Sequence, residues 1–155
     1  MAPRQHMRKM KVGKVTFTEA YKAVNEYRQK FPQKAVTFYA QNYPAMGWAV
    51  FMAGGSCPVI PCTDKAFLKD AAAMEVEETN TDEYKKMVKS DIGSIIYSKS
   101  GTEIPVQLSS GKYVLKYIHP ASGKIETINK SLKINGLYKL KVPDKKEGIY
   151  WFHKL

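Results

Sequence analysis

The hydrophobic pattern changes period part-way along the chain. In the first half, Ala20, Val24, Tyr27 and Phe31 lie four, three and four residues apart and form one helical stripe. Thr16 and Glu19 have the S/T-x-x-E spacing of a capping box, Thr18 is a second cap candidate, and Pro32 ends the run. A helix is predicted over about 19–31. Lys34–Ala40 (KAVTFYA) is short, apolar and rich in β-branched and aromatic residues, without polar alternation. That texture predicts a strand buried on both faces. Pro44 then opens a helix over about 44–53 (PAMGWAVFMA) that is apolar nearly all round and must be buried, and Gly54 and Gly55 stop it. Ser56–Ile60 reads as a very short strand. Asp64 caps a third helix over 65–74, with Phe67, Leu68 and Ala71 on one face. Helix, strand, helix, short strand, helix is an α/β order. One convincing strand makes no sheet, so the buried helix needs a partner surface.

From Tyr84 onward the period is two. Ser100-Gly101, Ser110-Gly111, Ser122-Gly123, Asn135-Gly136 and Glu147-Gly148 recur every 10 to 13 residues, a turn spacing that predicts an antiparallel sandwich or barrel. Asn-Gly is also a strong two-residue hairpin signal. The strands fall at about 84–89, 92–98, 103–108, 112–118, 124–129, 137–142 and 148–153. Tyr113, Leu115 and Tyr117 alternate with Lys112, Val114, Lys116 and Ile118, while Leu137, Lys139 and Lys141 alternate with Tyr138, Leu140 and Val142. One face is core and the other largely lysine. Ile149–Phe152 contains no residue suited to water and is expected to sit centrally. The fold class read from the pattern is α+β overall, an N-terminal α/β segment followed by an antiparallel β-sandwich.

Composition changes this picture little. The 155 residues allow one domain or two small ones, and 44% hydrophobic with 25% charged residues fits a globular chain rather than a disordered one. No run is apolar enough to be read as a membrane span, and no apolar stretch follows the basic N-terminus as a secretory signal would require. Charge is uneven. The net +11 includes an acidic strip at 75–83 with five acids and no base (Glu75, Glu77, Glu78, Asp82 and Glu83). The chain therefore divides into a basic arm (1–14), an α/β segment (15–75), an acidic linker (76–83) and a sandwich (84–155). The 14 basic residues after position 84 are all Lys. Lysine on strand faces blunts edges, whereas nucleic-acid readers rely on Arg for bidentate contacts. Cys57 and Cys62 form a lone C-x4-C, and His6, His119 and His153 show no ligand spacing. No metal or cofactor is expected. Whether the two thiols pair is left open by the sequence.

The stretch YPAMGWAVFMAGGS (Tyr43–Ser56), the acidic strip, and then IIYSKSG (Ile95–Gly101), VQLSSGKYVLKYIHPASGKI (Val106–Ile125) and IYWFHKL (Ile149–Leu155) follow one another in a recognisable order. This order resembles the C-terminal end of glycoside-hydrolase-like proteins common in gut Bacteroidetes. Those proteins have a (β/α)8 barrel followed by a small β-sandwich labelled a collagen-binding domain. The matching residues are Tyr97, Gly101, Leu108, Gly111, Tyr113, His119, Pro120, Ser122, Gly123 and Trp151. Tyr117 stands where the family has Trp, and His119 where it has Asp or Asn. The resemblance implies that residues 15–75 are the end of a TIM barrel, whose rim at the C-terminal end of a strand would be Gln41, Asn42 and Tyr43. No Asp or Glu lies between Phe31 and Cys62, and glycoside hydrolysis needs two carboxylates flanking the bond. The resemblance thus carries no catalytic residue onto this chain.

The leading expectation is a C-terminal fragment of a glycoside-hydrolase-like protein, non-catalytic alone, with a sandwich of structural or carbohydrate-contacting role in polysaccharide metabolism. Its relatives would be periplasmic or secreted. Its partners would be carbohydrate or its own missing barrel portion, and the apolar helix at 44–53 predicts self-association if the chain is made alone. The alternative is a stand-alone carbohydrate- or matrix-binding module, with Tyr117, Tyr150 and Trp151 as sugar-stacking candidates and Tyr113 and Tyr138 beside them. The competing reading of these rings is core packing. A third class, a nucleic-acid binder contacting through Arg4, Arg8, Lys9, Lys11 and Lys14, rests on charge alone and is set aside.

Overall fold

The computed structural model describes residues 15–38, 45–99, 101, 103–144 and 147–155. It is a mixed α/β fold with three helices and antiparallel sheets: α1 (Phe17–Lys30), α2 (Ala45–Met52), α3 (Lys65–Ala73), then β1 (Glu75–Glu77), β2 (Tyr84–Lys89), β3 (Gly93–Ser98), β4 (Glu103–Gln107), β5 (Gly111–Ile118), β6 (Ile125–Ile134), β7 (Leu137–Lys141) and β8 (Gly148–Lys154). No part of a (β/α)8 barrel is evident among the described residues.

The helix signals act as read. Thr16 Oγ1 accepts the Glu19 N–H, and the Glu19 carboxylate accepts the Thr16 N–H at 2.8 Å, closing the capping box. Asp64 Oδ1 accepts the Phe67 N–H at 2.8 Å at the head of α3. The buried face of α1 is Ala20, Tyr21 and Val24, whereas Phe31 is exposed at the far end of the predicted stripe. The predicted strand at 34–40 is not formed over 34–38. Lys34, Ala35 and Thr37 are exposed, and the Val36 carbonyl accepts one bond, from Ser56 N–H at 2.7 Å. The rest of that prediction lies outside the described residues. Nor is 56–60 a strand. Cys57 has φ 53°, which breaks an extended run, and Pro58 lacks a ladder donor.

The strands pair as one six-stranded sheet, order β1-β2-β3-β8-β5-β6, and one two-stranded sheet, β4-β7. β8 lies between β3 and β5, the central place its sequence predicts. The two sheets face each other over Ile96, Tyr113, Leu115, Tyr117, Tyr150 and Phe152 on one side and Ile104, Val106, Leu140 and Val142 on the other. The opposite face of the large sheet carries Met87, Ile95, Tyr97, Ile118, Ile149 and Trp151, and the helices pack onto it in one continuous core. α2 lies inside that core, so its apolar surface is covered within the chain.

Three readings differ from expectation. Asn135-Gly136 joins β6 to β7, which belong to different sheets, so it is a corner between layers rather than a hairpin. The acidic strip supplies β1, paired with β2 by Glu75↔Val88, Val76↔Met87 and Glu77↔Lys86. β6 runs to Ile134, well beyond the predicted 129 and up to the Asn135-Gly136 turn, and two irregularities in its register with β5 take up its extra residues.

The joint between helices and sandwich is made at the β5–β6 turn. Trp48 Nε1 donates to the Pro120 carbonyl at 2.8 Å. Gly123, at φ +69°, lies against the 61–62 backbone, where a Cβ would stand 2.5 Å from the Pro61 carbonyl oxygen. Gly123→Ala is expected to destabilise the chain by about 1–2 kcal/mol from the left-handed backbone alone, and further through the clash with Pro61. Urea unfolding followed by circular dichroism measures it; an unchanged midpoint would show that the turn and the helical layer do not touch as described.

Candidate functional site

An open cleft of about 720 Å³ lies between α1, the end of α2, α3 and β1. Asn25, Arg28 and Gln29 come from one face of α1, since residues three and four apart share a face. Glu75 and Glu78 come from the opposite wall, and Phe51, Leu68 and Met74 supply apolar surface. Gly54 has φ +66°, and a Cβ there would sit 1.9 Å from Arg28 Nη1. Glycine thus lets the guanidinium lie against the α2 terminus, where Nη1 donates to the Ala53 carbonyl at 3.2 Å. The Gln29 amide donates to the Glu78 carboxylate.

A second, polar cleft of about 570 Å³ shares Asn25, Gln29 and Glu78 with the first and continues along α1 to Thr81, Asp82 and Lys85. Lys85 is buried, and its Nζ donates to the Thr81 carbonyl at 2.7 Å while lying 4.8 Å from the Tyr21 ring centre. Asp82 receives Lys22 Nζ at 3.0 Å and Lys85 Nζ at 3.4 Å. The bond from Lys22 is the largest of the influences that hold the Asp82 carboxyl below its ordinary range. Together the clefts form a trough lined by amides, carboxylates and ammonium groups.

Behind α3 lies a buried polar cluster that the sequence reading missed. Asp70 is 7% exposed on the sheet-facing side of α3. Its Oδ2 accepts Trp151 Nε1–H at 2.9 Å and the His153 Nδ1–H at 2.7 Å. The signal was present: Asp70 stands three residues after Phe67 on the apolar side of the helix, and Trp151 and His153 alternate onto one face of β8. Asp70 joins α3 to β8 and satisfies an indole N–H that would otherwise be buried without a partner. Lys116 Nζ lies 4.1 Å from the Trp151 ring centre.

Gln41, Asn42 and Tyr43, the predicted ligand-binding rim, lie outside the described residues. Tyr117, Tyr150 and Trp151 are 3, 1 and 0% exposed. Their rings are core: Tyr117 and Tyr150 pack 5.3 Å apart between the sheets, and Trp151 packs edge-on to Phe67 beneath the helices. None offers a face on which a sugar could stack in this structure. Tyr113 is also buried, and Tyr138 is partly covered against Phe152. Cys57 and Cys62 are free thiols, and burial pushes the Cys62 thiol up. Among the described residues, no three His, Cys, Asp or Glu side chains are grouped to hold a metal, and no helix is long and apolar enough to cross a membrane.

A family model described as "Domain of unknown function (DUF6298)" matches residues 1–74, ending at the C-cap of α3. No curated protein matches the chain. Among solved structures, a chain named "Glycoside hydrolase" is similar at 16% sequence identity with a TM-score of 0.39, over 51% of this chain and 19% of its own length. This chain therefore spans about a fifth of that solved one, and the likeness is weak.

Two outcomes follow from the buried groups. Asp70→Ala leaves the Trp151 N–H and His153 without their shared acceptor, and a loss of about 1.5–3 kcal/mol is expected in urea unfolding; a loss under about 0.5 kcal/mol would show the cluster to be solvated. Burial pushes the phenols of Tyr21 and Tyr150 up to about 12, and that of Tyr97 higher still, with its bond to Glu147 adding to the rise. The unfolded chain ionises its tyrosines near 10, so the stability these groups supply is whole below about pH 10 and falls as pH rises toward 12. Ultraviolet titration should find these phenols still neutral at about pH 11 while the exposed ones ionise; complete ionisation of a still-folded chain at that pH would contradict the burial.

Proposed function

We propose that this chain is the C-terminal part of a glycoside-hydrolase-like protein, non-catalytic by itself, in which helices α1–α3 lock a β-sandwich accessory unit to the polypeptide before it. The observation that carries this reading is the single core shared by the helices and the large sheet. Residues that support the family resemblance do structural work there. Pro120 accepts Trp48, Gly123 admits the 61–62 backbone, Trp151 reaches Asp70, and Tyr97 stacks on Phe17 at 3.9 Å. The two departures from the family pattern are accommodated: the Tyr117 hydroxyl donates to the Glu147 carbonyl at 2.7 Å, and His119 Nε2 lies 3.0 Å from Glu126.

The segment at 34–38 fits the same reading. Among the described residues its backbone bonds are the Lys34 N–H to the Phe31 carbonyl and the Ser56 N–H to the Val36 carbonyl, and its exposed positions Lys34, Ala35 and Thr37 leave room for strands of a barrel portion. The carbohydrate-contacting surface is the trough along α1, where Asn25 and Glu75 offer hydrogen-bonding groups to sugar hydroxyls. Many of the trough's other polar groups are engaged in holding α1 to β1 and to the β1–β2 loop, as Gln29, Glu78, Asp82 and Lys85 are. These contacts support a binding and structural role and not acid–base chemistry.

The purified protein is expected to turn over no aryl glycoside, and to bind oligosaccharides on a glycan array with an affinity that falls about five- to tenfold in Asn25→Ala and Glu75→Ala at unchanged melting temperature, as loss of one or two hydrogen bonds predicts. Turnover abolished by replacing one acid of this chain would overturn the non-catalytic reading. Glycan binding indifferent to both substitutions would move the contact out of the trough.

A further inference from the structure

The smaller sheet covers the larger one incompletely. Two strands, β4 and β7, lie over a sheet of six, and β6 at its margin keeps most of its residues exposed. There a groove of about 420 Å³ opens between β5, β6, β7 and β8. Leu115, Ile128, Tyr138 and Leu140 line it, and Ile128 remains 53% exposed. Two further observations characterise what would occupy it. Lys139 and Lys141 stand at the rim and share one carboxylate: Glu103 pairs with Lys139 at 2.9 Å and lies directly across the ladder from Lys141. The rim is therefore net positive. Tyr150 also lines the groove, and its hydroxyl is buried without a hydrogen-bond partner among the described residues. Leaving a buried donor unmet costs about 1–3 kcal/mol, and its phenol, pushed up to about 12 by burial, keeps its proton at neutral pH.

We propose that this groove binds a small organic anion with an apolar body, its hydrocarbon part between Leu115, Ile128, Tyr138 and Leu140, and its carboxylate at Lys141, accepting the Tyr150 hydroxyl as the ligand seats. The occupant follows from charge and lining together. The walls offer hydrocarbon rather than the hydrogen-bonding groups a free sugar needs, a cation would meet two ammonium groups, and an uncharged hydrocarbon would leave the phenol unmet. This site is separate from the α1 trough and does not rest on the reading of that trough.

The test is isothermal titration of the full chain with 2-naphthoate, beside neutral 2-naphthamide, cationic 2-naphthylmethylamine and glucuronate. One naphthoate is expected to bind per chain, about tenfold tighter than the amide, with the amine and glucuronate not binding. Lys141→Glu is expected to weaken naphthoate about tenfold and Tyr150→Phe about fivefold, with Leu137→Ala, an exposed control, unchanged. Tyr150→Phe should also leave the melting temperature the same or raise it, since it removes an unmet donor. Absence of naphthoate binding, equal binding of the neutral amide, preference for glucuronate, or indifference to both groove substitutions would overturn the proposal. A marked fall in melting temperature for Tyr150→Phe would do so too, by showing that the hydroxyl already has a partner within the fold.

Discussion

Ile149, Tyr150, Trp151 and Phe152 leave no side of β8 that can face water. A strand alternates its side chains between the two faces of a sheet, so burying all four requires a layer above and a layer below. The β4–β7 pair supplies one over Tyr150 and Phe152, and the helices supply the other over Ile149 and Trp151. The antiparallel strands and the helical segment are therefore halves of one requirement. Removing the helices would expose Ile95, Tyr97, Ile118 and Trp151 at the centre of the large sheet, and removing the sheet would strip α2 of the surface that lets an all-apolar helix exist in water.

Polar groups set how these layers meet. Apolar packing tolerates sliding, whereas a buried carboxylate with two donors does not. Asp70 fixes α3 over one stretch of β8, and Trp48 fixes α2 over one turn of the sandwich. Lys85 and Lys86 are buried on adjacent, opposite-facing positions of β2, and each brings a neighbour with it: Lys85 pins the loop before β2 through Thr81, and Lys86 pairs with Glu77 on β1. Within the acidic strip, Glu77 and Asp82 are thus paired with lysines. The free margin at β6 is protected differently, by register irregularities and by lysines at 130 and 133.

The strands after Tyr84 were legible because glycine-bearing turns and two-residue alternation agree there, and both are local. What depended on distant partners was not. Lys34–Ala40 carries the composition of a central strand, but composition cannot supply neighbouring strands, and the described part of it remains largely exposed. Asn135-Gly136 turns the chain as such a pair does, yet the strands on either side join different sheets. Tyr117, Tyr150 and Trp151 have the chemistry of sugar platforms, and only the second covering layer decides that their rings are inside. Asp70 reads as one more charge on a lysine-bearing helix until Trp151 and His153, more than eighty residues on, are brought to it. The α1 trough was invisible for the same reason, since Arg28, Gly54 and Glu78 meet only in space.

Both tryptophans of the chain, Trp48 and Trp151, lie in the core between the helices and the large sheet, while the core between the two sheets is built from tyrosine, phenylalanine and aliphatic residues. The indoles are also each fastened to the neighbouring layer, one to Pro120 and the other to Asp70. Intrinsic indole emission from this protein therefore originates wholly at the seam between its helical and β layers. Loosening of that seam would shift the emission toward the red even with every strand still paired, so the chain carries its own optical gauge of the one junction on which its two halves depend.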